Sequence, residues 1–215
     1  MADTYRFVDP ETRQDLAVFL DRLQRFALPE VRLVVRGSVL AVFGCTQAPA
    51  HLLDSVAVVL VMRAFQLEAG PTAQVDRTVL VRSLLDRLAY DSQDPQSLAL
   101  PDTLVTAAWA GVLPPAGGWQ PAGFIDAESL SEVAQQGISR VAAALPEQPG
   151  EAVVSTVRAQ VWGVEVAPNV PAAAAFALES MGFLRNERKV QLAQSRTWMR
   201  LSTSRGHVIV RHKLH

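Results

Sequence analysis

The single cysteine, Cys45, closes the strand-like run Val39–Gly44, and His51 follows six residues later. A thiolate nucleophile needs a base close in space, a role His51 or His207 could fill. Nothing flanking Cys45 matches a cysteine-protease signature, and there is no Cys-x-x-Cys, so a small buried apolar side chain is the weightier reading. His207, His212 and His215 gather near the end. On a strand His207 and His212 fall on opposite faces, and no His-Glu-x-x-His occurs, so no metal site is expected. Trp119 follows Pro114-Pro115-Ala116-Gly117-Gly118, an aromatic on a Gly-rich loop. Such a segment serves as a lid over a pocket or as a plug between two halves, and the plug is the simpler role. Trp119, Cys45, His51 and His207 are thus the pocket candidates. Phosphate-cradling glycine motifs, the G-x-S-x-G elbow and a glycosidase-like carboxylate pair are all missing, and no cofactor is expected.

Charge offers a different chemistry. The chain has 215 residues and a net charge of −1, but the average hides a split. Residues 1–184 carry 12 basic and 20 acidic side chains, net −8; residues 185–215 carry 8 basic side chains against Glu187 alone, net +7. Arg196, Arg200, Arg205, Arg211 and Lys213 are the candidates for polyanion contact, with Trp198 near Arg200 as a stacking group. The competing reading pairs this segment with the acidic body of its own chain or of a second copy.

These residues need elements to hold them. Asp9-Pro10-Glu11 starts a helix with an N-cap, a first-turn proline and an acid at the positive dipole end. Leu16, Phe19, Leu20 and Leu23 give it one apolar stripe. Gly37-Ser38 joins Val31–Arg36 to Val39–Gly44 in a type II′ hairpin, pairing Val35 with Leu40 and Leu33 with Val42. Val56–Leu67 and Val75–Val81 read as further strands, followed by a helix from Ser83 and a short helix over Leu104–Ala110. Seven Gly or Pro in Gly111–Gly123 argue against regular structure there. Asp126 should cap a helix burying Leu130, Val133, Ile138, Val141 and Leu145. A second helix, Gly150–Trp162, should bury Val153, Val154, Val157 and Val161. A third, Ala172–Met181, should stop at Gly182 and Phe183. Val190–Ala193, Thr197–Thr203 and His207–Lys213 read as closing strands, the last two joined by a three-residue turn.

Helices followed by a basic hairpin suggest a winged helix, but the loop Gly163–Val170 is too long for a helix-turn-helix. The would-be recognition helix also offers only Glu179 and Ser180 to base edges, so sequence-specific reading of DNA is not expected.

The segments Phe7–Arg13, Ala108–Pro115 and Gly206-His207-Val208 resemble a conserved protein family of high-GC actinobacteria. The resemblance extends over nearly the whole chain and implies no activity. The arginine-heavy basic set, 18 of 20, fits a bacterial GC-rich coding sequence. The N-terminus has no apolar leader, and the longest apolar run, Val56–Met62, is far short of the roughly 18 residues a membrane helix needs. A cytoplasmic protein without membrane contact is the expectation.

The fold class expected is α+β: an N-terminal helix on a mostly antiparallel sheet, then a helix cluster with a terminal antiparallel hairpin. Residues 1–100 form one subdomain, 101–125 a Gly/Pro-rich connection, and 126–215 the other, unless the core is continuous. Three functional classes follow. The first is a non-catalytic interaction protein, with a homodimer or another protein as partner. The second is a nucleic-acid binder through the basic terminal strands, without sequence specificity. The third is an enzyme of unrecognised type with a pocket between the halves.

Overall fold

A computed structural model describes residues 3–49, 54, 56–68, 74–90, 94–148 and 150–212. His51 and Lys213, both singled out above, lie outside these residues, as does His215. The chain divides into two compact units, Met1–Thr46 with Met62–Leu113, and Gln47–Val61 with Pro114–His215.

In the first unit, strand β1 (Thr4–Arg6) leads into helix α1 (Pro10–Leu23). The Asp9 carboxylate accepts the Thr12 N–H at 2.5 Å, and this bond holds the Asp9 carboxyl below its usual range. Leu16, Phe19, Leu20 and Leu23 are buried, as their spacing predicts. Strands β2 (Glu30–Arg36) and β3 (Val39–Gln47) pair in the expected register, Arg36 with Val39 and Leu33 with Val42. Of the two turn residues only Gly37 has a positive φ, +58°, as a type II′ turn requires. Strand β4 (Val58–Gln66) has its last five residues in this unit. Strand β5 (Val75–Leu80) runs straight into helix α2 (Val81–Tyr90), and β6 (Ser97–Ala99) pairs with β1. The strand order is β5-β2-β3, with antiparallel pairing. The helix expected over Leu104–Ala110 is only a 3-10 turn, Ala108–Gly111, because Ala107 at its start offers no capping side chain and Thr103, Val105 and Thr106 disfavour helix.

In the second unit, strand β7 (Gln120–Asp126) forms inside the segment whose Gly and Pro content argued against structure. It exists because β10 (Lys189–Ser195) supplies a partner ladder, with a register shift at Leu192/Ala193 that leaves Ala122, between Pro121 and Gly123, as the extra residue. Helix α3 (Ala127–Ala144) buries Ala127, Leu130, Ala134 and Gly137; of the predicted stripe Leu130 is buried, Val133, Val141 and Leu145 are half-buried, and Ile138 is exposed. Asp126 makes no side-chain cap bond. Small residues define the buried face because Trp162, at the end of helix α4 (Glu151–Trp162), lies against Gly137. The valines expected inside along α4 are not buried, and Trp162 is that helix's buried residue.

The long loop after α4 contains the hairpin β8 (Glu165–Ala167) and β9 (Val170–Pro171), with Asn169 at φ +61° in its turn. Helix α5 (Ala172–Ser180) is buried on nearly every side, and it ends as predicted: Gly182 has φ +66° and the Phe183 N–H donates to Leu178 C=O at 2.8 Å. Strands β11 (Trp198–Thr203) and β12 (Gly206–Arg211) complete the order β12-β11-β10-β7, antiparallel throughout. Their turn has two residues, since Thr203 already pairs with Gly206. Gly206 lies so close to the Phe183 ring that a Cβ would come within 2.6 Å of it. The fold class is α+β, as the sequence predicts.

Candidate functional site

Pairing fixes which side chains of β7, β10, β11 and β12 share a face. Val190, Leu192, Met199, Leu201, Val208 and Val210 are all buried on one side. The other side is mixed. Its first row across the four strands is Phe124, Gln191, Ser202 and His207. The next row is Pro121, Ala193, Arg200 and Ile209, and the third is Ser195, Trp198 and Arg211. Phe124 is 65 % exposed and Gln191 is exposed, whereas Ala193, Trp198 and Ile209 are buried.

Arg200 stands at the middle of this face. Its guanidinium lies 4.5 Å from the centre of the Trp119 ring, a cation–π contact. The Trp119 indole N–H donates to Pro115 C=O at 3.0 Å, so the Gly-rich loop is closed by its own aromatic residue. Gly118, at φ +76°, permits that turn. Arg200 Nε is buried without a hydrogen-bond partner, and no carboxylate pairs with Arg200 among the described residues. Burial lowers its pKa, although a guanidinium stays charged at any ordinary pH.

His207 answers to the same neighbourhood. Its Nδ1 is 2.9 Å from Ser202 Oγ. Burial, helped by the positive charge of Arg200, pushes it down to about 4, so the imidazole is neutral at pH 7. Trp119, Arg200 and His207 thus come together on one face, joined by Ser202 and Gln191, which the sequence reading did not single out. Their signal was present in the two-residue alternation of Trp198, Arg200 and Ser202.

The other candidates separate. Arg211 shares the face and lies 5.7 Å from the Trp198 ring. Arg196 and Arg205 occupy the turns at opposite ends of β11; Arg205 donates to Arg185 C=O at 3.2 Å, and Arg196 holds a left-handed φ of +52°. Cys45 lies in β3 of the first unit and is fully buried, so its thiol is not offered to solvent. Among the described residues no group of three or more His, Cys, Asp or Glu is placed to hold a metal, and no helix is long and apolar enough to cross a membrane.

A groove of about 660 Å³ also opens in the second unit, lined among others by Val56, Ala57, Gly163, Val164, Pro171 and His212. His212 Nε2 is buried without a partner, while its backbone N–H donates to Thr197 C=O at 3.0 Å.

A family model described as a domain of unknown function, DUF8010, matches residues 1–111, just over half of the chain. The chain belongs to the DUF8010 family. A second model, DUF8185, also described as a domain of unknown function, matches residues 114–215 of this DUF8010 protein. No curated protein matches it. Solved structures do. The DNA polymerase III subunit beta from Pseudomonas aeruginosa is 16 % identical with a TM-score of 0.54, covering 98 % of this chain and 64 % of that one. The DNA polymerase III beta subunit from Thermotoga maritima is 12 % identical with a TM-score of 0.54, covering 97 % and 64 %. A sliding clamp from Bartonella birtlesii bound to griselimycin is 13 % identical with a TM-score of 0.52, covering 97 % and 65 %. The DUF8010 chain therefore has a fold similar to sliding clamps and spans a little under two thirds of their length.

Proposed function

We propose that this protein is a non-catalytic binding protein, a scaffold that holds partners and does not convert them. The observation that carries this reading is the likeness to DNA polymerase sliding clamps over 98 % of the chain. Clamps are named for holding, and the face around Arg200 fits holding as well. It offers a cation, aromatic rings and neutral hydrogen-bonding groups, and its imidazole already engages a neighbouring hydroxyl. The partner classes are a second copy of the chain and nucleic acid. The second is favoured by the seven basic side chains that residues 185–212 carry against Glu187 alone.

Two measurements test the reading. Light scattering from nanomolar to tens of micromolar protein reports self-association. Fluorescence anisotropy with labelled single-stranded and duplex oligonucleotides reports nucleic-acid binding. Binding in either assay is the expected result. A strict monomer that leaves both oligonucleotides free at low salt overturns it.

A further inference from the structure

We infer that the mixed face of β7, β10, β11 and β12 is a binding site for single-stranded nucleic acid, with Arg200 on phosphate and Phe124 stacked on a base. The inference rests on the binding-protein reading and deepens it. Three features on the same face carry it.

The first is an unsatisfied cation. Arg200 is partly desolvated, its Nε has no partner, and no described carboxylate neutralises it. A desolvated charge is costly until an anion meets it. The Trp119 ring lies 4.5 Å from the guanidinium carbon and helps hold it in place, leaving the terminal N–H groups to meet an anion.

The second is the row Phe124, Gln191, Ser202 and His207. At about 4.8 Å between strands it spans about 14 Å. It presents an exposed ring and an exposed amide, the group types that stack on and hydrogen-bond to unpaired bases, beside a half-buried Ser202–His207 pair at 2.9 Å. A sheet face puts no helix or ribbon into a duplex groove, whereas an exposed ring on it stacks on a splayed base.

The third is where charge sits. Arg188, Lys189 and Arg205 lie at one end of the strands, and Arg196 and Arg211 at the other, with Arg200 between. Successive pleats from Trp198 to Thr203 cover about 17 Å, room for a few nucleotides along the strands. Asp126, paired across from Lys189, is an opposing charge at one corner. The helices of the same unit carry Glu128, Glu132, Glu151 and Glu179 against Arg140 and Arg158, so the cations concentrate on the strands.

The test is anisotropy with a labelled oligo-dT of about 12 nucleotides, its RNA counterpart, and a duplex of equal length. Each is titrated at about 50 and 200 mM salt. The expected result is single-strand binding tighter than duplex binding and weakened at least ten-fold by the higher salt. Phe124→Ala should weaken it about ten-fold with its salt slope kept, because an exposed ring is removed without touching a phosphate contact. Arg200→Gln should weaken it and flatten the slope; circular dichroism checks that this variant is folded. Arg140→Ala, on α3, should bind like wild type. Equal binding of duplex and single strand, or Phe124→Ala binding unchanged, overturns the inference and leaves the binding-protein reading standing. No oligonucleotide binding at either salt also overturns it, and a dimer by light scattering then still supports the broader reading.

Discussion

Trp119 and Arg200 stand 81 positions apart in the chain, yet the guanidinium sits 4.5 Å from the centre of the indole ring. The contact fastens the Gly-rich loop to the middle of β11. Trp119→Ala removes a half-buried ring and hydrates the arginine. The expected loss is about 1–2 kcal/mol, or a fall of roughly 2–8 °C in Tm by calorimetry. A melting curve unchanged from wild type would show the loop to be energetically idle.

The pH dependence of stability should carry the signature of His207. Its folded pKa is lowered from 6.5 to about 4, so the unfolded chain binds the proton first. Stability from this group is complete above pH 6.5 and is lost as pH falls towards 4. Urea unfolding of wild type and His207→Gln across that window should diverge by roughly 2–3 kcal/mol, wild type falling faster. Parallel curves would place the imidazole in a solvated site.

Gly137→Ala sets two effects against each other. Alanine gains about 1 kcal/mol in helix propensity. Its Cβ would lie 2.2 Å from the Trp162 ring, an overlap that costs about 1–3 kcal/mol in a packed core. The clash wins unless the ring moves, so a lower urea midpoint is expected. In a Trp162→Ala background the same substitution should raise it.

Arg196 is expected to gain stability on simplification. Its φ of +52° costs a side-chain-bearing residue about 1–2 kcal/mol, a penalty glycine does not bear. Glycine returns part of that gain through the entropy of the unfolded chain. Arg196→Gly should raise Tm by about 2 °C. A drop in Tm would mean that the Arg196 side chain makes contacts worth more than the strain.

Local signals were the legible ones. The Asp9 cap, the Gly37-Ser38 register and the Gly182 stop each depend on a few adjacent residues, and all three appear as read. Two of the errors share a cause, a partner distant in sequence. β7 exists because β10 pairs with it, and α3 turns Gly137 inward because Trp162 lies there. The site behaves likewise. Trp119, Arg200 and His207 were each visible as residues, but only strand register puts Phe124 and Gln191 in line with Ser202. Cys45 drew attention by being alone of its kind, and its full burial is what a small apolar side chain in a sheet would show.

The register shift in β7 reaches beyond the fold of a single molecule. β7 ends its sheet order and is exposed along nearly its whole length, the arrangement that invites chain-to-chain polymerisation. Pro121 has no amide hydrogen to offer, and the irregularity opposite Leu192 and Ala193 bends the strand out of line. Only the short stretch Phe124–Asp126 stays regular enough to template another strand. Pro121, which helps disguise β7 in the sequence, and the bulge at Ala122 therefore act as its guard against fibril growth.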